Sequence, residues 1–169
     1  MQKDGTVDGV GDVIEYQRRG AKWATIQENV RKIHASPVHE IVNHVVTAIN
    51  ILSAMDFVNW CHTNDLKFAS ISHVFQEHLG VAAMPPELKA LALERLKEGR
   101  KRYEHYLDPE YNNYEYGYVQ TIDRLISTIE SVDFSPAALD QFIRHINVED
   151  TASKRPLREV VPEWAPWFN

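Results

Sequence analysis

The side chains that could do chemistry are few and scattered. The chain has one cysteine, Cys61, and eight histidines. A cysteine nucleophile needs a base and an oxyanion site beside it, whereas Cys61 follows Trp60 in an apolar stretch. Its expected state is a small buried hydrophobe. One thiol cannot close an internal disulfide or hold an iron–sulfur cluster, which takes several thiolates. His39 and His44 are five apart on an expected strand and so point to opposite faces. His73 and His78 fall on a strand and in the loop after it, with no visible pattern of supporting partners. The histidines therefore suggest ordinary polar positions rather than a metal site. Arg18 offers a guanidinium fork, which suits a carboxylate because it donates two parallel hydrogen bonds. Asn50 ends a β-branched run. Strand C-terminal ends face the ligand crevice in α/β folds, and an amide can bond a ribose hydroxyl. Asp8-Gly9 as a plain turn, Arg18 as a surface cation and Asn50 as a turn residue remain open beside these roles.

Several standard sites are missing from the sequence. DGVGD lacks the third glycine and the strand–helix context of a dinucleotide fingerprint. There is no Walker loop, no Gly-x-Ser-x-Gly elbow and no His-Glu-x-x-His pattern. A net charge of -6 argues against general attraction to a nucleic-acid backbone. The local cluster Lys97, Arg100, Lys101 and Arg102 fits a solvated helix face. No apolar run approaches the ~20 residues that span a bilayer, and the opening MQKDGTVDGVGD is too polar for a secretory leader. The single cysteine fits a reducing, cytoplasmic setting. Tyr103, Tyr106, Tyr111, Tyr114, Tyr116 and Tyr118 suit either a partner surface or helix–helix packing.

The elements that must position these residues follow from periodicity. Residues 7–20 hold Gly9, Gly11 and Gly20, which predicts a loop, with a short strand before it. Trp23, Ile26, Val30 and Ile33 predict a helix over 23–34, ended by Ser36-Pro37. The β-branched run over 38–52 predicts a strand buried on both faces. A helix over 55–64, with Ser53 as its cap, and a strand over 68–75 follow. Strand, helix, strand predicts a parallel βαβ unit. Beyond Pro85 three helices are expected, over 86–106, 111–132 and 136–146, with breaks at Asp108-Pro109 and Ser135-Pro136. Residues 151–155 suggest a polar linker. The tail with Trp164, Trp167 and Phe168 should dock on the body, because it would otherwise expose much apolar area.

The order of motifs carries a resemblance. Thr6, Asp8-Gly9, Glu15-Tyr16, Arg18, Gly20, Trp23 and Glu28-Asn29 lie within TVDGVGDVIEYQRRGAKWATIQENVRKI. This segment resembles the fourth strand, loop and helix of the radical-SAM partial barrel in twitch-domain proteins. There the region reads as a serine-containing strand ending in Asp-Gly, then Glu-Tyr-x-Arg-x-Gly-x-x-Trp, then a helix carrying Glu-Asn. The strand with Asn50, the helix through Trp60, the strand ending near Phe75, Pro-Pro-Glu-Leu from Pro85 and Val161-Pro162-Glu163 follow in the family's order. The likeness covers most of the chain. Each motif is weak alone, and order and spacing together make the likeness moderately specific. The CxxxCxxC segment of the family is absent, as are the first barrel strands, and MQKDG stands where those strands would lead in.

The resemblance implies an α/β fold: a partial (β/α) barrel fragment with parallel strands over 1–84 and a helical C-terminal extension over 85–169. It implies that Thr6, Asp8, Arg18 and Asn50 bind S-adenosylmethionine (SAM), with the backbone near Val74 and Phe75 against its adenine. A [4Fe–4S] cluster would come only from a missing segment or a cluster-bearing partner chain. The expected activity is that of the later half of a radical-SAM enzyme, with no catalysis by this chain alone. The alternative is a non-enzymatic interaction or scaffold module derived from such a domain. The expected partner is a cluster-bearing chain or a second copy of this chain in a homo-oligomer, with no nucleic acid and no membrane.

Overall fold

β-branched residues crowd the first half of the chain, and the sheet forms there. The computed structural model describes residues 2–35, 39–107 and 116–168. Strands β1 (Gln2–Thr6), β2 (His39–Val46) and β3 (Lys67–His73) form one parallel sheet in that order. Parallel neighbours need a crossover. Between β1 and β2 the chain runs through α1 (Gly11–Gln17) and α2 (Trp23–His34), and between β2 and β3 through α3 (Ala54–Thr63). Thr6 pairs with Asn43, and Val46 with His73. All three strands therefore end on the same side of the sheet.

Three expectations need correction here. Residues 7–20 are not simply a loop, because α1 occupies Gly11–Gln17. Gly9 (φ 154°) and Gly11 (φ 56°) take a backbone that side chains resist, which allows a sharp strand-to-helix turn. Burial of Val13 and Ile14 then holds the short helix down. Second, β2 stops at Val46 rather than running to residue 52. The Asn50 side-chain oxygen accepts the Thr47 N–H at 2.9 Å, closing a turn no strand can contain. Nor is β2 buried on both faces: Val42, His44 and Val46 are buried, while Asn43, Val45 and Thr47 are partly exposed. Third, Ser53 does not cap α3. It lies in a 3₁₀ turn (Ile51–Ser53), and its hydroxyl donates back to the Asn50 carbonyl at 3.1 Å.

Helices α4 (Pro86–Lys101), α5 (Tyr116–Ser131) and α6 (Pro136–Ala152) build the second half. Proline opens α4 and α6, where its missing N–H costs nothing. The Ser135 hydroxyl accepts the Ala138 N–H at 3.2 Å and caps α6. This helix outruns its expected end at Ile146 and takes in the start of the expected linker. α4 stops short, at Lys101, and a 3₁₀ turn follows over Glu104–Leu107. Ser36-Pro37, Asp108-Pro109 and residues 111–115 lie outside the described residues, as do the side chains of His39, Tyr106 and Tyr116.

The tail docks as its composition requires. α7 (Leu157–Val160) and a 3₁₀ turn (Pro162–Trp167) bring Trp164 to full burial, 4.5 Å from the Phe142 ring. Its indole N–H donates to the Ala48 carbonyl at 3.1 Å, so the one polar atom of the ring is satisfied. One apolar core runs from Val7 to Phe168, through both halves. Lys97, Arg100 and Lys101 pair on the surface with Glu130, Asp123 and Glu98. Cys61 is buried, and burial pushes its thiol pKa up. Among the described residues no helix is long and apolar enough to cross a membrane.

Candidate functional site at the strand ends

The chain leaves β1 at Thr6 but stays beside β2, because the Val7 N–H donates to the Asn43 carbonyl at 2.9 Å. This places Asp8 at the end of the sheet. Its Oδ1 accepts the Val45 N–H at 3.0 Å. Its Oδ2 accepts Arg18 Nε at 2.7 Å and Nη2 at 2.5 Å. Arg18 directly follows α1, and its own N–H donates to the Ile14 carbonyl at 2.9 Å. The Asp8 side chain is 11% exposed and that of Arg18 is 48% exposed. The carboxylate is thus sunk in the fold, while the guanidinium reaches toward solvent. Nη1 of Arg18 has no partner among the described residues.

Asn50 is fully buried behind them. Its Nδ2 donates to the Asp8 carbonyl at 2.7 Å and the Val45 carbonyl at 2.8 Å. Both amide hydrogens are therefore spent inside the fold. Gln17 extends the network by donating from Nε2 to Thr47 Oγ1 at 2.8 Å. Its Oε1 is buried with no partner among the described residues. Such an acceptor costs about 1–3 kcal/mol when left unsatisfied and calls for an explanation.

Asp8, Gln17, Arg18 and Thr47 open on a crevice of about 310 Å³, which Asn50 does not line. Val45, Ile49, Leu79 and Ile146 supply apolar wall, and His145 and Glu149 of α6 are among the polar residues lining it. A larger groove of about 570 Å³ shares Tyr16 and Glu149 with it. Much of that groove's charge is already paired, Arg19 with Glu149 at 2.8 Å and Arg155 with Asp12. The smaller crevice, at the strand ends, is the better candidate site. Tyr16 is fixed between the two cavities, its hydroxyl donating to Asp150 at 2.6 Å. Burial, then that bond, push the phenol pKa up and keep it a donor.

Of the residues singled out in the sequence, Asp8, Arg18 and Asn50 come together in one network. Thr6 is exposed and does not line the crevice. Val74 is partly exposed and Phe75 fully so. His44 is buried against Phe57, ring centres 4.2 Å apart, with Nδ1 bonded to the Val7 carbonyl at 2.9 Å. Its Nε2 has no partner among the described residues, and burial lowers its pKa. His73 Nε2 meets Thr128 Oγ1 at 3.1 Å. Among the described residues no three His, Cys, Asp or Glu side chains stand together in a metal-holding arrangement. Sequence reasoning missed Gln17, Thr47, His145 and Glu149. Gln17 adjoins Arg18 and Thr47 lies three positions before Asn50, but nothing near His145 or Glu149 in sequence announces a crevice wall. Comparison with protein-family models, curated proteins and solved structures finds no match to this chain.

Proposed function

We propose that this chain is the SAM-contacting part of a radical-SAM-type fold, and that it does not cleave SAM by itself. The observation that carries the reading is the Asp8–Arg18 pair at the C-terminal ends of parallel strands, with unengaged guanidinium N–H groups at a crevice. Strand ends of open α/β sheets are where ligands bind. Arg18 would hold the ligand carboxylate through the donors that Asp8 leaves free. Asp8 is a positioning residue, since its carboxylate fixes the guanidinium. Asn50 positions Asp8 in turn through the backbone. Gln17 holds Thr47 through Nε2 and so braces the turn beside the crevice. Thr6 enters this reading only by the family resemblance.

The open sheet also supports a barrel fragment. Among the described residues, β1 and β3 each pair on one side only. Free parallel edges are what a piece of a barrel presents, and such edges invite a partner. The residues do not fit an iron–sulfur cluster. Cys61 is the single cysteine, fully buried, with its thiolate disfavoured by burial. A cluster would have to arrive on another segment or partner chain, so no step is assigned to it here. One observation favours the second reading, a scaffold module: Asp8 and Asn50 spend their polar groups largely on the fold itself.

Isothermal calorimetry with SAM separates these readings. The ligand reading expects saturable heat with the wild type and its loss in Arg18→Ala, with unchanged circular dichroism. Equal heats for the two proteins would remove Arg18 from the site. Anaerobic treatment with iron and sulfide should leave this chain colourless.

A further inference from the structure

Two histidines meet where the loop after β3 touches α6. His78 lies in the 3₁₀ turn Glu77–Leu79 and His145 on α6, with ring centres 5.7 Å apart and planes inclined at 66°. Both side chains are partly buried. Neither imidazole makes a hydrogen bond or ion pair with another described residue. Their backbones are well held. The Leu79 carbonyl accepts the Ala48 N–H at 2.8 Å, and the Leu79 N–H donates to the Gln76 carbonyl at 2.9 Å. α6 is anchored by the fully buried Phe142 and Ile146.

We propose that His78 and His145 clamp a late first-row divalent cation, such as Zn²⁺ or Co²⁺. Imidazole suits these ions. With metal–nitrogen bonds of about 2.0–2.1 Å, each ring centre lies about 3.2 Å from the ion, and two rings at a tetrahedral angle have centres about 5.2 Å apart. The 5.7 Å found here differs from that by about half an ångström. The rings meet edge to face, so rotation about the side-chain bonds must turn one nitrogen of each toward a shared ion. The two imidazoles are the protein ligands of this site, and water would complete the shell. Glu149 stands one turn along α6 from His145, and its side chain is 37% exposed. Its surface bond to Arg19 is weak enough to exchange for a metal bond. His145 and Glu149 line the crevice and His78 does not, so a bound ion would tie the turn after β3 to α6 beside the crevice. This site requires no SAM, although His145 and Glu149 also line the crevice of the proposed function, and titration with the metal alone tests it separately.

The test is calorimetric titration of the full chain with Zn²⁺, repeated with Co²⁺ as an optical reporter. One ion per chain should bind. His78→Ala and His145→Ala should each weaken binding by at least about tenfold, the scale on which even supporting partners of metal ligands act. His145→Gln serves as a second variant if the alanine form melts early. His73→Ala should leave binding unchanged. Absence of saturable binding to the wild type, or wild-type affinity in the His78 and His145 variants, would overturn the proposal.

Discussion

The strand ends and the C-terminal tail are held by different forces. At the strand ends Asp8, Gln17, Arg18, Thr47 and Asn50 are joined by hydrogen bonds, with Arg18 half exposed. Around the tail Phe142, Trp164 and Phe168 are joined by burial, and the lone indole N–H is satisfied by Ala48. A hydrogen bond adds only about 1 kcal/mol net but fixes direction. Apolar burial adds more and is indifferent to direction. The tail therefore secures the fold, while the strand ends aim particular donors. The two regions touch at the turn after β2, where Ala48 receives Trp164 and its neighbours Thr47 and Asn50 belong to the network.

Substitutions can break this contrast. Trp164→Ala should have the largest effect, lowering unfolding free energy by about 3–5 kcal/mol in urea titrations, because the cavity cannot collapse fully. A cost no greater than that of Arg18→Ala would erase the distinction between the regions. Asn50→Ala comes next, at about 2–3 kcal/mol, since the Thr47 N–H and the Asp8 and Val45 carbonyls lose a buried partner.

His44 sharpens the picture through pH. Burial lowers its pKa, so the fold keeps it neutral while the unfolded chain takes up a proton near its ordinary value of about 6.5. Its contribution is full above that pH. Below it stability falls by up to about 1.4 kcal/mol per pH unit, until the lowered folded value is passed. His44→Gln should flatten that slope in unfolding curves measured across the mildly acidic range. Arg18→Ala should be the mildest, within about 1 kcal/mol, because a half-exposed ion pair is screened by water. Its effect should appear in ligand binding instead.

Sequence patterns revealed the frame better than the site. The parallel order of strands, the helix over Trp23–His34 and the docked tail were all legible, because periodicity and aromatic weight act locally or in bulk. The end of β2 was not, because a side-chain bond from Asn50 overrides the β-branched run. α1 was hidden by its flanking glycines, which signal a turn but not the helix that the turn starts. Asp8, Arg18 and Asn50 were visible through their motif. His145 and Glu149 were invisible, because only the packing of α6 across the strand ends brings them there.

The central claim is that Arg18 is held ready for a ligand rather than merely tied to Asp8. Nuclear magnetic resonance of the ¹⁵N-labelled chain during SAM titration addresses it directly. The Arg18 Nε–H, the Gln17 side-chain amide and the Val45 N–H should shift together and saturate together. Shifts confined to the outer groove around Lys22 and Lys154, or no shifts at all, would contradict the account.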